Sequence, residues 1–189
     1  MIDMVIERHS GGQTVTMLDD LASTYIDAHS VNPDEHDELF SQSSFISRTN
    51  IQARKPGFEL VTAVSNSSLV GFSFGYTFPA GEWWADSTRP TQDVLDASKC
   101  AVIELDVRRA FQGQGIGKRL LRELLSGRAE KFATLAATPG SMAHAMYIRW
   151  GWHTVGVFET PPVMDAMLIA LKDSSLSGRS ELSGNGKSV

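Results

Sequence analysis

A glycine-rich run at residues 112–118 has the residue types and spacing of a phosphate-binding turn. It follows an apolar, strand-like segment at residues 100–107, and it precedes a helical pattern that continues to about Arg128. Glycines between a strand and a helix leave backbone N–H groups unobstructed, and the partial positive charge of the helix N-terminus attracts anions to them. The run therefore predicts a site for a phosphate group.

Three kinds of phosphate loop are alternatives for this run. A nucleoside triphosphatase loop needs Ser or Thr after Gly-Lys, but Arg119 follows Gly117-Lys118, so the hydroxyl that binds magnesium is missing. A dinucleotide fingerprint needs a third glycine where Lys118 stands. It also needs an acidic residue that ends a following strand about 20 residues later, and no acidic residue stands at such a strand end here. The pattern Gln/Arg-x-x-Gly-x-Gly/Ala is satisfied throughout, by Gln112, Gly115 and Gly117.

This last pattern is the acyl-CoA pyrophosphate loop of the GCN5-related N-acetyltransferases (GNAT), a family that the chain resembles. Val107 lies five residues before Gln112, where that family ends its central strand. A later segment, Ala143-His-Ala-Met-Tyr147-Ile-Arg-Trp-Gly151-Trp152, resembles the family's second signature, Ala-x-x-aromatic-Tyr-x-x-x-Gly-aromatic. Met146 stands at the usual aromatic position, and the two signatures follow each other in the family's order.

The resemblance implies an α/β fold with a mixed, mostly antiparallel sheet of about six to seven strands, splayed at an acyl-CoA slot and flanked by about four helices. It implies acetyl-CoA as co-substrate, with its pantetheine arm paired to the backbone of Leu105, Asp106 and Val107 as a neighbouring strand would be. Backbone N–H groups would hold the diphosphate at Gln112, Gly113, Gln114, Gly115, Ile116, Gly117 and Lys118. Side chains that could add positive charge there are Lys118, Arg119, Arg108 and Arg109.

Two side chains are predicted to transfer protons, because acetylation needs an ammonium to lose a proton and the CoA thiolate to gain one. Tyr147 matches the family's tyrosine that protonates the thiolate, and a packing tyrosine with a satisfied hydroxyl is the alternative. Glu104 on the central strand is the favoured base, acting directly or through water. Asp106, which shares its side-chain parity, and His144, one helical turn before Tyr147, are the alternatives.

Trp83 and Trp84 are the predicted substrate-binding residues. They stand between Glu82 and Asp86 in a segment without periodicity, residues 79–98, which is predicted to be a long loop. Loops of this length are frequently functional, and aromatic rings beside carboxylates attract cations such as an ammonium. The alternative is that both tryptophans pin the loop onto the core.

Composition limits the classes of function that remain. The chain has 189 residues, 42% of them hydrophobic, which predicts one domain over residues 1–172 and a disordered Ser- and Gly-rich tail over 173–189. A single cysteine, Cys100, excludes an internal disulfide, and five scattered histidines lack ligand spacing, so no metal is predicted. The net charge of −5 argues against nucleic-acid binding, and neither a membrane span nor a signal peptide is indicated. We therefore expect a cytoplasmic protein.

The remaining patterns predict the elements that position these residues. Strands are expected over residues 4–8, 58–64, 69–76, 100–107, 133–138, 153–158 and 163–171. Helices are expected after Thr14, from Pro33, over residues 116–128 and from Ser141 to Trp150.

The predicted function is transfer of an acetyl group from acetyl-CoA to the primary amine of a small molecule, by direct attack in a ternary complex. A protein acceptor, at an N-terminus or a lysine, is the alternative within the enzymes. A non-catalytic acyl-CoA-binding sensor is the alternative of another class. The family resemblance also implies a homodimer that pairs through the C-terminal strands.

Overall fold

The computed structural model describes residues 4–30 and 41–171, and it confirms the predicted α/β class. The strands are β1 (Met4–His9), β2 (Glu59–Ser65), β3 (Ser68–Phe78), β4 (Lys99–Val107), β5 (Phe132–Ala137), β6 (His153–Val157) and β7 (Asp165–Ala170). The helices are α1 (Gly11–Val15), α2 (Leu18–His29), α3 (Gln42–Gln52), α4 (Gln92–Leu95), α5 (Ile116–Leu125) and α6 (Met142–Arg149).

The seven strands form one sheet in the order β1-β2-β3-β4-β5-β7-β6. Every named strand pair is antiparallel except β4 with β5, within the two described ranges. Four longer helices flank the sheet as predicted, and α1 and α4 are shorter additions. The predicted helix start at Pro33 and the predicted tail at 173–189 lie outside the described residues. No helix in residues 4–30 or 41–171 has the length and apolar character to cross a membrane.

The sheet has two covered faces, and strand alternation decides which face each β4 side chain reaches. On one face, α5 buries Ile116, Leu120 and Leu124 against β2, β3 and β4, and Leu105 and Val107 pack against this cluster. On the other face, α2 and α3 bury aromatic and aliphatic side chains: Leu21, Tyr25, Phe45, Phe72 and Phe74. Glu104 and Asp106 therefore point toward α2 and α3.

The predicted long loop at residues 79–98 is interrupted by the short helix α4, Gln92–Leu95, and the buried Lys99 holds the end of the segment in place. The Lys99 side chain is fully buried, and its Nζ donates to the backbone carbonyls of Val94, Leu95 and Ala97 at 3.2, 3.1 and 2.7 Å. Burial lowers the pKa of this ammonium. One side chain thus donates to three carbonyls near the end of α4, and two of these also accept from backbone N–H groups, Leu95 O from Gly81 at 2.8 Å and Val94 O from Ala97 at 3.3 Å.

Lys99→Met is expected to lower the free energy of unfolding by about 1–3 kcal/mol, because methionine cannot donate to the three carbonyls and leaves that of Ala97 without its Lys99 donor. Urea denaturation followed by circular dichroism measures the change. Lys55→Met, at an exposed position, is the matched control. Equal midpoints for all three proteins would show that Lys99 does not hold the loop.

Candidate active site

The two central strands β4 and β5 separate part-way along their length. They pair only over Lys99–Ala101 and Phe132–Thr134, and beyond that point β4 keeps its partner β3 alone. The register between β3 and β4 also shifts here, because Phe74 pairs with Glu104 while the next residue pairs with Val102. Ile103 is therefore the extra residue of a β-bulge, which bends β4. The predicted splay is confirmed, and it opens a gap beside residues 102–107.

The glycine run forms an exposed turn between the end of β4 and the start of α5. Gly113 and Gly115 have positive φ angles of 75° and 78°, and a Cβ at either residue would meet no heavy atom within 4 Å. The first helical hydrogen bond runs from Arg119 N to Gly115 O at 3.2 Å. Among the described residues, no backbone carbonyl accepts from the N–H groups of residues 113–118. Several unpaired donors thus converge at a helix N-terminus, as an anion site requires.

Side chains around the turn fix its position on the sheet. Gln112 Nε2 donates to the carbonyl of Val107 at 2.9 Å, which ties the turn to the last residue of β4. Arg108 Nε donates to the Leu69 carbonyl at 2.8 Å, and the backbone N–H of Arg109 donates to Asp27 Oδ2 at 2.8 Å. The Arg108 side chain is therefore engaged by β3 and not directed to a phosphate, whereas a phosphate contact by the exposed Arg109 side chain stays a prediction.

A cavity of about 540 Å³ adjoins the turn at Lys118. Its lining is mostly apolar and includes three cationic side chains: Leu121, Leu125, Trp150, Trp152, Ile169 and Leu171 beside Lys118, Arg122 and Arg128. Lys118 thus lies between the glycine turn and this cavity.

A cluster of ionisable side chains lies on the α2 and α3 side of the gap. An Arg48 Nη of α3 lies 3.3 Å from Glu104 Oε1, and His29 Nε2 of α2 lies 2.9 Å from Asp106 Oδ1. One ligand-type atom each from His29, Glu104 and Asp106 lie within 4.8 Å of one another. The Arg48 guanidinium supplies positive charge at the carboxylates, so the cluster is partly compensated without a metal ion.

Glu104 has an unusual protonation equilibrium in this cluster. Burial, together with the neighbouring Asp106 carboxylate, raises its pKa to about 8, although Arg48 and His29 oppose the shift. A carboxyl group with a pKa near neutrality is suited to accept and release a proton during turnover. The structure therefore places the predicted base, Glu104, in an environment that suits proton transfer.

Tyr147 lies in α6 on the other side of the gap. Its side chain is 8% exposed and packs edge-on against Trp150 and Trp152, at centroid distances of 5.8 and 6.0 Å. Burial raises the pKa of the phenol, and the Asp106 and Glu104 carboxylates are near enough to raise it further. The phenol therefore stays protonated at neutral pH and remains available as a donor.

Comparison with known proteins agrees with this geometry. The model of the Acetyltransferase (GNAT) family matches residues 17–152, which include the glycine turn, Glu104 and Tyr147. The chain belongs to the GNAT acetyltransferase family. Members of this family are acetyltransferases that use acetyl-CoA, in agreement with the predicted enzyme class and co-substrate.

Individual relatives of this GNAT chain are distant. A GCN5-like protein acetyltransferase of Mycobacterium tuberculosis is 31% identical over 86 residues, which cover 40% of this chain and 41% of that protein. The chain therefore matches about two-fifths of the length of that curated relative. An acetyltransferase from Thermus thermophilus superimposes with a TM-score of 0.63 at 14% identity, covering 89% of this chain and 97% of its own.

A PaiA N-acetyltransferase from Thermoplasma acidophilum, solved in complex with coenzyme A, has the same fold. Its TM-score is 0.57 at 14% identity, and the match covers 89% of this chain and 99% of that one. At such low identities, these solved structures establish the fold of the GNAT domain.

The rival base His144 is placed away from the cluster in this GNAT domain. Its Nε2 lies 2.9 Å from Asp165 Oδ2, and the Thr154 hydroxyl donates to the same oxygen at 2.9 Å. These contacts connect α6 to β6 and β7. His144 thus has a structural role in holding the helix that carries Tyr147.

The predicted substrate-binding tryptophans are half-buried. Trp84 Nε1 donates to Thr134 Oγ1 at 2.9 Å, and its ring lies 4.9 Å from that of Phe78. Trp83 Nε1 donates to the Thr88 carbonyl at 3.1 Å, and its ring packs against a small core cluster. Thr134 is the last residue of β5 that pairs with β4, so Trp84 lies at the closed end of the gap. Both rings contact the core side of the loop, and acceptor contacts by Trp83 and Trp84 stay predictions.

His29 is a site residue that the sequence reasoning missed. It stands at the end of α2, far in sequence from β4, and it belongs to no motif. Only the packing of α2 against β4 brings its imidazole to Asp106. The sequence offers one indication of such a residue. Glu104 and Asp106 stand on a central strand, and carboxylates that become buried there need a hydrogen-bonding or charged partner from another element.

Proposed function

We propose that this GNAT domain transfers the acetyl group of acetyl-CoA to the primary amine of a small molecule, by direct attack in a ternary complex. The observation that carries the proposal is the gap between β4 and β5, which has unpaired N–H donors at its mouth, a carboxylate cluster on one side and a buried phenol on the other. Donor and acceptor can therefore approach the same point from opposite faces of the sheet.

The donor half of the reaction uses backbone groups. The N–H groups of the glycine turn hold the CoA diphosphate, where the positive end of α5 stabilises negative charge. The pantetheine arm pairs with the edge of β4 at Leu105, Asp106 and Val107, since β5 has left that edge. The Val107 N–H then donates to the thioester oxygen as negative charge develops on it.

The acceptor half uses side chains. The ammonium loses a proton to Glu104, and the amine lone pair attacks the thioester carbonyl carbon. The C–S bond breaks, Tyr147 protonates the departing thiolate, and the acylated nitrogen gives up its second proton, which restores the phenol. The net products are an amide, CoA thiol and one proton.

A pH profile tests the proposed base. Glu104 must be ionised to accept a proton, and its pKa of about 8 predicts that kcat/KM rises about tenfold per pH unit below pH 8 and levels off above it. Thiol release measured from pH 6 to 10 gives the profile. Glu104→Gln should lower the rate about 100-fold and remove the plateau near pH 8. If kcat/KM of the parent protein keeps rising to pH 10, deprotonation of the free amine alone explains the pH dependence, and Glu104 is not the base.

Enclosure of the carboxylates favours a small acceptor. The Glu104 and Asp106 side chains are 16% and 5% exposed, and they lie beneath α2 and α3. A small amine fits such a site, whereas a folded protein would reach it only with an extended side chain or terminus. The loop at residues 79–98, with Trp83 and Trp84, is proposed to form part of the acceptor wall.

A protein acceptor is the second candidate, and the curated relative from Mycobacterium tuberculosis, named a protein acetyltransferase, is the observation that favours it. Calorimetric titration first compares the binding of acetyl-CoA, CoA and NAD. Thiol release is then measured with a panel of acceptors: a polyamine, an aralkylamine, an amino-acid amide, an aminoglycoside and lysine-containing peptides. Release with a small amine supports the proposal. Thiol release with peptides alone would favour a protein acceptor. Binding of acetyl-CoA without thiol release from any acceptor would favour the non-catalytic sensor.

Two further expectations accompany this function. A homodimer would use β6, which is the edge strand of the described sheet and leaves one side of its backbone unpaired there. A reducing cytoplasm suits Cys100, which is buried as a free thiol. Sedimentation velocity tests the first expectation directly.

A further inference from the structure

We propose that His29 carries away the proton that Glu104 takes from the amine, with Asp106 holding the imidazole in place for this transfer. This inference rests on the proposed acetyl transfer, and it adds a residue from α2 to a site otherwise built from β4 and α6. Its chemistry is that of a proton relay, from a buried carboxyl group to an imidazole nearer to solvent.

The distances permit the transfer. A carboxylate oxygen of Glu104 and a ring nitrogen of His29 lie within 4.8 Å, which one bridging water can span. Asp106 Oδ1 lies 2.9 Å from His29 Nε2, so a positive charge on the imidazole would form beside a carboxylate. The Tyr25 ring lies 4.4 Å from the imidazole ring and limits its rotation.

Exposure increases along the proposed route. The Asp106, Glu104 and His29 side chains are 5%, 16% and 27% exposed, so His29 is the member with the most access to water. A proton left on buried Glu104 would prevent the next ammonium from being deprotonated. An exit through the more exposed imidazole restores the carboxylate after each turnover, since imidazole exchanges protons readily near neutral pH.

Within residues 4–30 and 41–171, charged and polar groups of α2, α3, β4 and α6 surround the relay. The neighbouring groups are Tyr25 of α2, Arg48 of α3, Glu104 and Asp106 of β4, and Tyr147 of α6. Arg48 lies 5.0 Å from the Tyr25 ring centroid and 3.3 Å from Glu104, so its charge favours the ionised form of Glu104 and return of the proton to solvent. Because a cation lies beside Glu104 and a carboxylate lies beside His29, these charges favour movement of the proton from Glu104 to His29.

The proton balance is complete without another reactant. The amine proton moves to Glu104, then through water to a ring nitrogen of His29, giving an imidazolium beside Asp106. The imidazolium releases that proton to bulk water. One proton therefore leaves per acetyl group transferred, as the overall reaction of an ammonium with a thioester requires.

Rescue by free imidazole tests the relay. Thiol release is measured at pH 7.5 with the panel amine that the parent protein acetylates fastest, for His29→Ala and His29→Gln. Both variants should be about 10- to 100-fold slower, because neither side chain exchanges a proton. Added imidazole should restore much of the rate of His29→Ala by occupying the space beside Tyr25. Glutamine keeps a hydrogen-bond donor for Asp106, which separates proton transfer from positioning.

His9→Ala is the matched control, because His9 Nε2 also lies 2.9 Å from a hydrogen-bonding oxygen, Thr62 Oγ1, but His9 stands on β1 outside the cluster. It should lose no proton-transfer step and should not respond to imidazole. Thermal melting of each variant identifies loss of folding. A His29→Gln rate equal to that of the parent, or a slow His29→Ala that imidazole does not restore, would overturn the relay alone. No thiol release by the parent with any amine would overturn the proposed function as well.

Discussion

Gly115→Asp is expected to weaken acetyl-CoA binding by at least about 100-fold, or about 2.7 kcal/mol, while the domain stays folded. The new side chain has room, since a Cβ at Gly115 meets no heavy atom within 4 Å. Aspartate tolerates a positive φ better than most residues, so it is suited to the left-handed backbone of Gly115 at the start of α5. Its carboxylate would then occupy the anion site and repel the diphosphate.

Calorimetric titration with acetyl-CoA measures this effect. Gly127→Asp is the control, because Gly127 also has a φ of 75° and open space around its Cβ but lies beyond the other end of α5. Both variants carry the same strain and the same added charge, so only Gly115→Asp should lose affinity. Unchanged binding in Gly115→Asp would show that the glycine turn does not hold the diphosphate.

Tyr147→Phe is expected to lower kcat by about 100-fold or more and to leave acetyl-CoA affinity within about twofold. The phenylalanine ring keeps the contacts with Trp150 and Trp152, which hold the side chain in α6. The change removes only the hydroxyl that would protonate the thiolate. The loss should therefore appear in the chemical step, after both substrates are bound.

Thiol release under saturating acetyl-CoA, combined with calorimetry, separates these two quantities. Tyr76→Phe removes a partly buried hydroxyl from β3 and serves as the comparison, with an expected rate close to that of the parent. A Tyr147→Phe variant with the parent's kcat would remove Tyr147 as the acid. A parallel loss of affinity would instead indicate that the hydroxyl binds CoA.

Features that depend on residues close together in the chain could be predicted from the sequence. The glycine turn needs only local backbone conformation, so its sequence specifies where N–H groups are exposed and where α5 begins. The alternation of Glu104 and Asp106 with Leu105 and Val107 likewise predicts opposite faces for the two pairs, as the sheet shows. The seven strands and the family followed from such short-range patterns.

The sequence by itself therefore determined the fold class, the family and the position of the proposed CoA turn, because these depend on neighbours along the chain. Tertiary structure decided the pairing of His29 with Asp106 and the contact of Arg48 with Glu104. It also decided the hydrogen bonds that His144 makes with Asp165 and that Arg108 makes with the Leu69 carbonyl. These contacts join residues from separate helices and strands, so no spacing encodes them. The raised pKa of Glu104 has the same origin, since burial and charge neighbours exist only after α2 and α3 pack on β4.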